Sequence, residues 1–175
     1  MADPNKSESA PATVPPPWAT GVVPVSEIGG EDAAETVFLL DLAEKARNYI
    51  TSFPWCRSIC EMYFGDGIGK IVGLFLCRIV PAKPDVDEWL WAVVGDLPPA
   101  YLVTDRCKSP AEAFDGYVEE MSKWIELAAK GESSVGVIPV SVSATPEWAE
   151  DVRRRLDLLG KIFRPWLSGP PIKRT

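Results

Sequence analysis

The 175-residue chain contains no histidine. That absence excludes Ser-His-Asp and Cys-His nucleophilic catalysis, imidazole proton shuttling and every histidine-ligated metal centre. Cysteine is scarce, at four residues: Cys56, Cys60, Cys77 and Cys107. Cys56 and Cys60 lie four apart, but one thiol pair without a second makes a poor zinc site. No apolar run approaches the roughly 18 residues of a membrane span. The opening MADPNKSESAPATVPPP has no apolar core of the signal-peptide type. The expectation is therefore a cytoplasmic protein with reduced thiols that act as buried apolar groups. Phosphate-cradling loops are missing too: 65-GDGIG-69 has neither the Walker lysine spacing nor a G-x-G-x-x-G pattern.

What is present reads as one domain. The length leaves little room for a second, and a chain of this size buries roughly 70% of its unfolded surface without needing a staple. The net charge of −7 favours solubility and disfavours nucleic acid and anionic membranes. It suits a protein partner with a basic face.

Residues 1–30 hold several prolines and few large apolar side chains, so a disordered arm is expected there. Within it, 13-TVPPPWATGVVPV-25 pairs a polyproline II signal with apolar anchors that include Trp18. That piece is either a docking peptide or a segment that folds back on its own domain. The single domain is expected over residues 31–167, followed by a flexible tail over 168–175. Helical spacing of Phe38, Leu39, Leu42, Ala46, Tyr49 and Ile50 predicts a helix over 31–53, and Pro54 stops it. A short helix is expected over 55–64, from Trp55, Ile59 and Met62.

Three strands follow: 70–80, 86–94 and 100–105. The first is almost continuously apolar, as a doubly covered strand must be. On the second, Trp89, Trp91 and Val93 point one way and Leu90, Ala92 and Val94 the other. Short connections, 81-PAKPD-85 and 95-GDLPP-99, make the three an antiparallel meander. A helix over 109–131 opens with the S-x-x-E capping box Ser109/Glu112 and Pro110 at its first position, and Gly131 ends it. Residues 135–142 read as a fourth, edge strand interrupted by Pro139. A last helix opens at Thr145-Pro146, with Trp148, Val152, Leu156, Leu159, Ile162 and, as a further candidate, Phe163 in its stripe and Arg153, Arg154 and Arg155 on the wet side. The fold class is α+β, a three- or four-stranded antiparallel meander with helices packed on one face.

The candidate site residues are aromatic and acidic. If the Trp89/Trp91 face were bare, those indoles and Tyr101 would form a binding platform; if covered, they are core. The carboxylates Asp66, Asp85, Asp87, Glu88, Asp96 and Asp105 cluster near turns. Asp66 and Asp96 are placed at one end of the sheet, where two acids can share a metal ion or a proton. Alternatively each caps its own turn. The binding set is thus Trp18, Trp89, Trp91, Tyr101 and Asp96, with no catalytic residue, metal ligand or cofactor assigned.

The segments DEWLWAVVGDLPPAYLVTD, SPAEAFDGYVEEM and IPVSVSATPEWAEDVRRRLDLL resemble a family of uncharacterised bacterial proteins. The likeness covers residues 36–165, and the GDLPP turn is its most specific part. It implies a bacterial origin and a single domain, and carries no catalytic residue. In general character the chain also resembles the small acidic immunity proteins of bacterial toxin systems. Three readings follow. The first is a non-catalytic bacterial cytoplasmic protein that binds another protein, as an inhibitor or immunity factor does. The second is a small carboxylate- or metal-dependent enzyme using Asp66, Glu88, Asp96 or Asp105. The third is an accessory subunit that docks through residues 13–25.

Overall fold

Strand β3 (Val72–Pro81) dictates the architecture. Its residues from Val72 to Cys77 are all buried, so both faces of the sheet around it need cover. The computed structural model describes residues 14–133, 136–140 and 142–167. It supplies that cover from both sides. Five antiparallel strands lie side by side in chain order: β1 (Val23–Pro24), β2 (Cys56–Ile68), β3, β4 (Trp89–Gly95) and β5 (Ala100–Val103). Three helices, α1 (Ala33–Thr51), α2 (Pro110–Ala129) and α3 (Pro146–Leu167), pack on this sheet.

Period-two alternation sorts the side chains into two cores. Leu74, Leu76, Trp91, Val93, Ala100 and Leu102 pack under α2 and α3. Phe75, Cys77, Ile79, Leu90, Ala92 and Val94 pack under α1. The expected α+β class holds, but the sheet has five strands and its helices lie on both faces. The one-face arrangement fails because the strands are apolar on both sides, and neither side can be left to water. Each large side chain so buried contributes roughly 1.5–3 kcal/mol.

Two further expectations are overturned. Residues 55–64 belong largely to β2 and form no helix: Met62 and Phe64 face α1 while Tyr63 faces α2 and α3. Residues 136–140 and 142 carry no strand. Instead Val137, Ile138, Val140 and Val142 pad the core beneath α2 and α3.

Of the two alternatives for the Trp18 segment, the structure shows the fold-back one. From Val14 onward the chain lies on the domain. Trp18, Ala19 and Val22 pack against the α2–α3 core, β1 pairs with β2 at Phe64 and Tyr63, and Val25 and Ile28 reach the α1 core. The segment thus wraps the β2 edge of the sheet. Residues 1–13 and 168–175 lie outside the described residues.

The helix ends follow from their sequences. Asp32 caps α1 by accepting from the Glu35 amide at 2.8 Å. Ser109 accepts from the Glu112 amide at 3.3 Å, and Glu112 accepts from the Lys108 amide at 2.6 Å. After α2, Gly131 takes a left-handed φ of 67°. The Gly131 amide donates to Ala128 and the Glu132 amide to Leu127, closing a Schellman turn. Thr145 caps α3 through the Trp148 amide at 3.3 Å.

Candidate functional site

Register decides which candidate residues meet. Trp91 pairs with Leu102, and Tyr101 pairs with Ala92. Trp91 and Tyr101 therefore project to opposite faces, and no Trp89/Trp91/Tyr101 platform forms. Trp91 has no exposed surface. Its indole N–H donates to the Cys107 carbonyl at 2.9 Å, which removes the one cost of burying it. Tyr101 joins a separate aromatic cluster on the α1 side. Its ring centroid lies 5.2 Å from Phe53 and 5.0 Å from Trp55, and the Phe53 and Trp55 rings stack at 4.8 Å.

Trp18 and Trp89 do meet. The two rings stand edge to face at 5.6 Å, and Tyr63 stacks on Trp89 at 6.2 Å. Cations close both sides: the Lys108 ammonium lies 4.7 Å from the Trp18 ring, and the Arg78 guanidinium 5.9 Å from Trp89. Arg78 pairs with Glu61 at 3.0 Å and with Glu88 at 3.5 Å. The hydrogen bond that Arg78 donates to Glu61, and then the charge of Glu61, raise the Arg78 pKa. The Tyr63 hydroxyl donates toward both Glu61, at 2.8 Å, and the Val14 carbonyl, at 2.9 Å. Burial, then that bond to Glu61, push its pKa up, so it stays a donor.

The carboxylates divide between the two ends of the sheet. Asp66 and Asp96 do share one end, since β2, β3 and β4 bring Asp66 beside Leu74 and Gly95 beside Val72. They serve different neighbours there. Asp66 accepts from the Gly67 amide at 2.8 Å, while Asp96 faces Arg155 of α3 at 3.6 Å. Asp85, Asp87, Glu88 and Asp105 lie at the opposite end, beside the start of β4 and the end of β5. Among the described residues, no group of three acidic or thiol side chains is placed to hold a metal ion. Three of the four cysteines are buried as expected, but Cys60, the extra residue of the β2 bulge between Ile59 and Glu61, is exposed. Burial raises the pKa of Cys77, Cys56 and Cys107, which makes these thiols poor nucleophiles. No helix among the described residues is long and apolar enough to cross a membrane.

One surface escaped the sequence reading. On α3, Ala149, Val152, Leu156, Leu159 and Phe163 are buried, at steps of three and four residues. Trp148, Asp151, Arg155, Leu158 and Ile162 repeat the same steps one residue earlier. They form a second line about 100° round the helix. Trp148 is 45% exposed, Leu158 60% and Ile162 46%. Trp148 and Ile162, expected in the buried stripe, lie outside it; Phe163, a further candidate for the stripe, is buried, and Ala149 is buried in place of Trp148. The amphipathic pattern is broader than one core-facing stripe, and that excess width was the available signal.

No family model, curated protein or solved structure matches the chain.

Proposed function

We propose that this is a non-catalytic bacterial cytoplasmic protein that acts by binding another protein, as an inhibitor or immunity factor does, and that it docks through the outer line of α3. The observation that carries this reading is the exposed Trp148–Leu158–Ile162 line, set among the exposed Arg153, Arg154 and Arg155. Tryptophan and arginine are among the residues most enriched at binding hot spots, where a surrounding rim excludes water from the buried anchor. The helix is held rigidly beneath that line. Phe163 packs edge to face on Phe114 at 5.1 Å, Arg164 pairs with Asp115 at 2.6 Å, and Arg155 ties to the β4–β5 turn. A preorganised helix face loses little entropy on docking. The likeness to immunity proteins supports the inhibitor form of the reading. Arg154 already pairs with Glu150, and Arg155 with Asp151 and Asp96, so the apolar line is rimmed by paired charges and the contact with the partner is chiefly apolar.

The test is direct binding to the purified products of adjacent genes, for the wild type and for Trp148→Ser/Leu158→Ser. Hot-spot loss of about 2 kcal/mol or more predicts binding at least about 30-fold weaker in the double variant. Its stability should change by about 0.5 kcal/mol or less, since neither side chain is core. Equal binding by both proteins, or no complex at micromolar concentration, would sink the reading.

A further inference from the structure

Residues 14–20, VPPPWAT, cover the corner of the sheet face that α2 and α3 leave open. We propose that this corner is a groove for a proline-rich, tryptophan-tipped peptide of a partner protein, and that the chain's own arm fills it as a displaceable ligand. The site is separate from the α3 line and does not depend on it.

The seated arm defines the chemistry. Pro15, Pro16 and Pro17 have no N–H, so this stretch cannot join a β-ladder and is recognised through its surface. Trp18 follows directly and stands edge-on against Trp89, with Lys108 across its face. Main-chain recognition is limited to both ends of the segment. The Tyr63 hydroxyl donates to the Val14 carbonyl at 2.9 Å, and the Thr20 amide donates to the Lys108 carbonyl at 3.0 Å. Between those ends the Ala19 amide donates to the Pro16 carbonyl at 2.9 Å, so Pro17 and Trp18 form a turn that presents the indole as its tip. The hold is light: Trp18 is only half-buried and Val14 and Pro17 are exposed. Gly21, at φ 72°, separates this stretch from β1, so it can lift while β1 stays paired. Few buried contacts mark a segment that opens at low cost.

A cis ligand lowers the apparent affinity for a trans ligand by the fraction of molecules in which the groove is open. The probe is a synthetic peptide of residues 13–21, TVPPPWATG, titrated into the full chain and followed by amide and indole NMR signals. Trp18→Ala should bind the peptide at least about ten-fold more tightly than wild type, because the competing anchor is gone. The shifts should centre on Trp89 and Tyr63. A peptide with alanine in place of its tryptophan should not bind. If Trp18→Ala perturbs the fold, Tyr63→Phe keeps the ring, removes the tie to Val14, and should tighten peptide binding in the same direction. Equal affinity for wild type and both variants, no binding at millimolar peptide, or shifts elsewhere on the sheet overturn the proposal. So does concentration-dependent dimerisation that Trp18→Ala abolishes, since a second copy's arm is then the occupant.

Discussion

Trp91 is the residue on which the α2–α3 side of the sheet closes. A methyl group added at Gly65 would come within 3.0 Å of its ring, and its indole N–H is spent on Cys107. Trp91→Ala should therefore cost about 3–5 kcal/mol, the range for large aromatic truncations in a core. Trp91→Phe keeps much of the volume but orphans the Cys107 carbonyl, a cost of about 1–3 kcal/mol. Urea unfolding of the two variants measures both. A loss below about 1 kcal/mol for the alanine variant would mean that the ring is not core. The pairing of Trp89 with Trp91 on one face was legible in the sequence, because alternation on a strand is a strict rule. The separation of Tyr101 from them was not. It depends on the β4–β5 register, which sets Trp91 opposite Leu102 and Ala92 opposite Tyr101. Short-range sequence patterns do not encode that register.

At the level of elements, the three long helices and strands β3 to β5 announce themselves by period and by punctuation. Strand β2 does not. Its register shifts between Cys56 and Ser58, between Ile59 and Glu61, and between Phe64 and Asp66. Each bulge adds a residue and resets the alternation. Trp55, Ile59 and Met62 consequently fall at helical spacing by accident. The arm left two alternatives open for a related reason: its composition is that of a disordered chain, and only the aromatic surface of Tyr63 and Trp89 gives the Trp18 segment somewhere to lie. The helix ends are where element logic makes opposite predictions for one substitution. Gly131 closes α2 with φ at 67°, so Gly131→Ala should destabilise by about 1 kcal/mol. Gly160 lies inside α3 with nothing within 4 Å of an added Cβ. Gly160→Ala should therefore stabilise by about 0.5–1 kcal/mol. Urea midpoints that move in the same direction for both would contradict this account of the helix ends.

The whole molecule has an unusual titration character, because no polar or charged residue other than tyrosine is buried among the described residues and the chain has no histidine. Its perturbed buried groups are all neutral at pH 7: burial is the main cause that pushes the Cys77 thiol up to about 12 from 9.0, and it raises Tyr63, Tyr117 and Tyr49 above their usual phenol range. In each case the folded state holds its proton more tightly than the unfolded state. Stability is therefore fully present below the unfolded pKa and is lost as pH rises through the window between the two values. For Cys77 that window runs from about 9 to about 12, and the tyrosines reinforce the loss from about pH 10 upward. Carboxylates do the opposite only where they are paired at the surface. Glu119 is the resolved case, its pKa lowered by the hydrogen bond from Lys123, and it is too exposed to matter much. Urea midpoints should thus change little between about pH 6 and 8 and fall steeply above about pH 9. Cys77→Val removes the most deeply buried of the three raised thiols at near-constant volume and leaves Cys56 and Cys107, so it should make the first part of the fall shallower without abolishing it. A wild-type curve that stays level to pH 11, or a Cys77→Val curve as steep as wild type between about pH 9 and 10, would show that the Cys77 thiol does not contribute to alkaline instability.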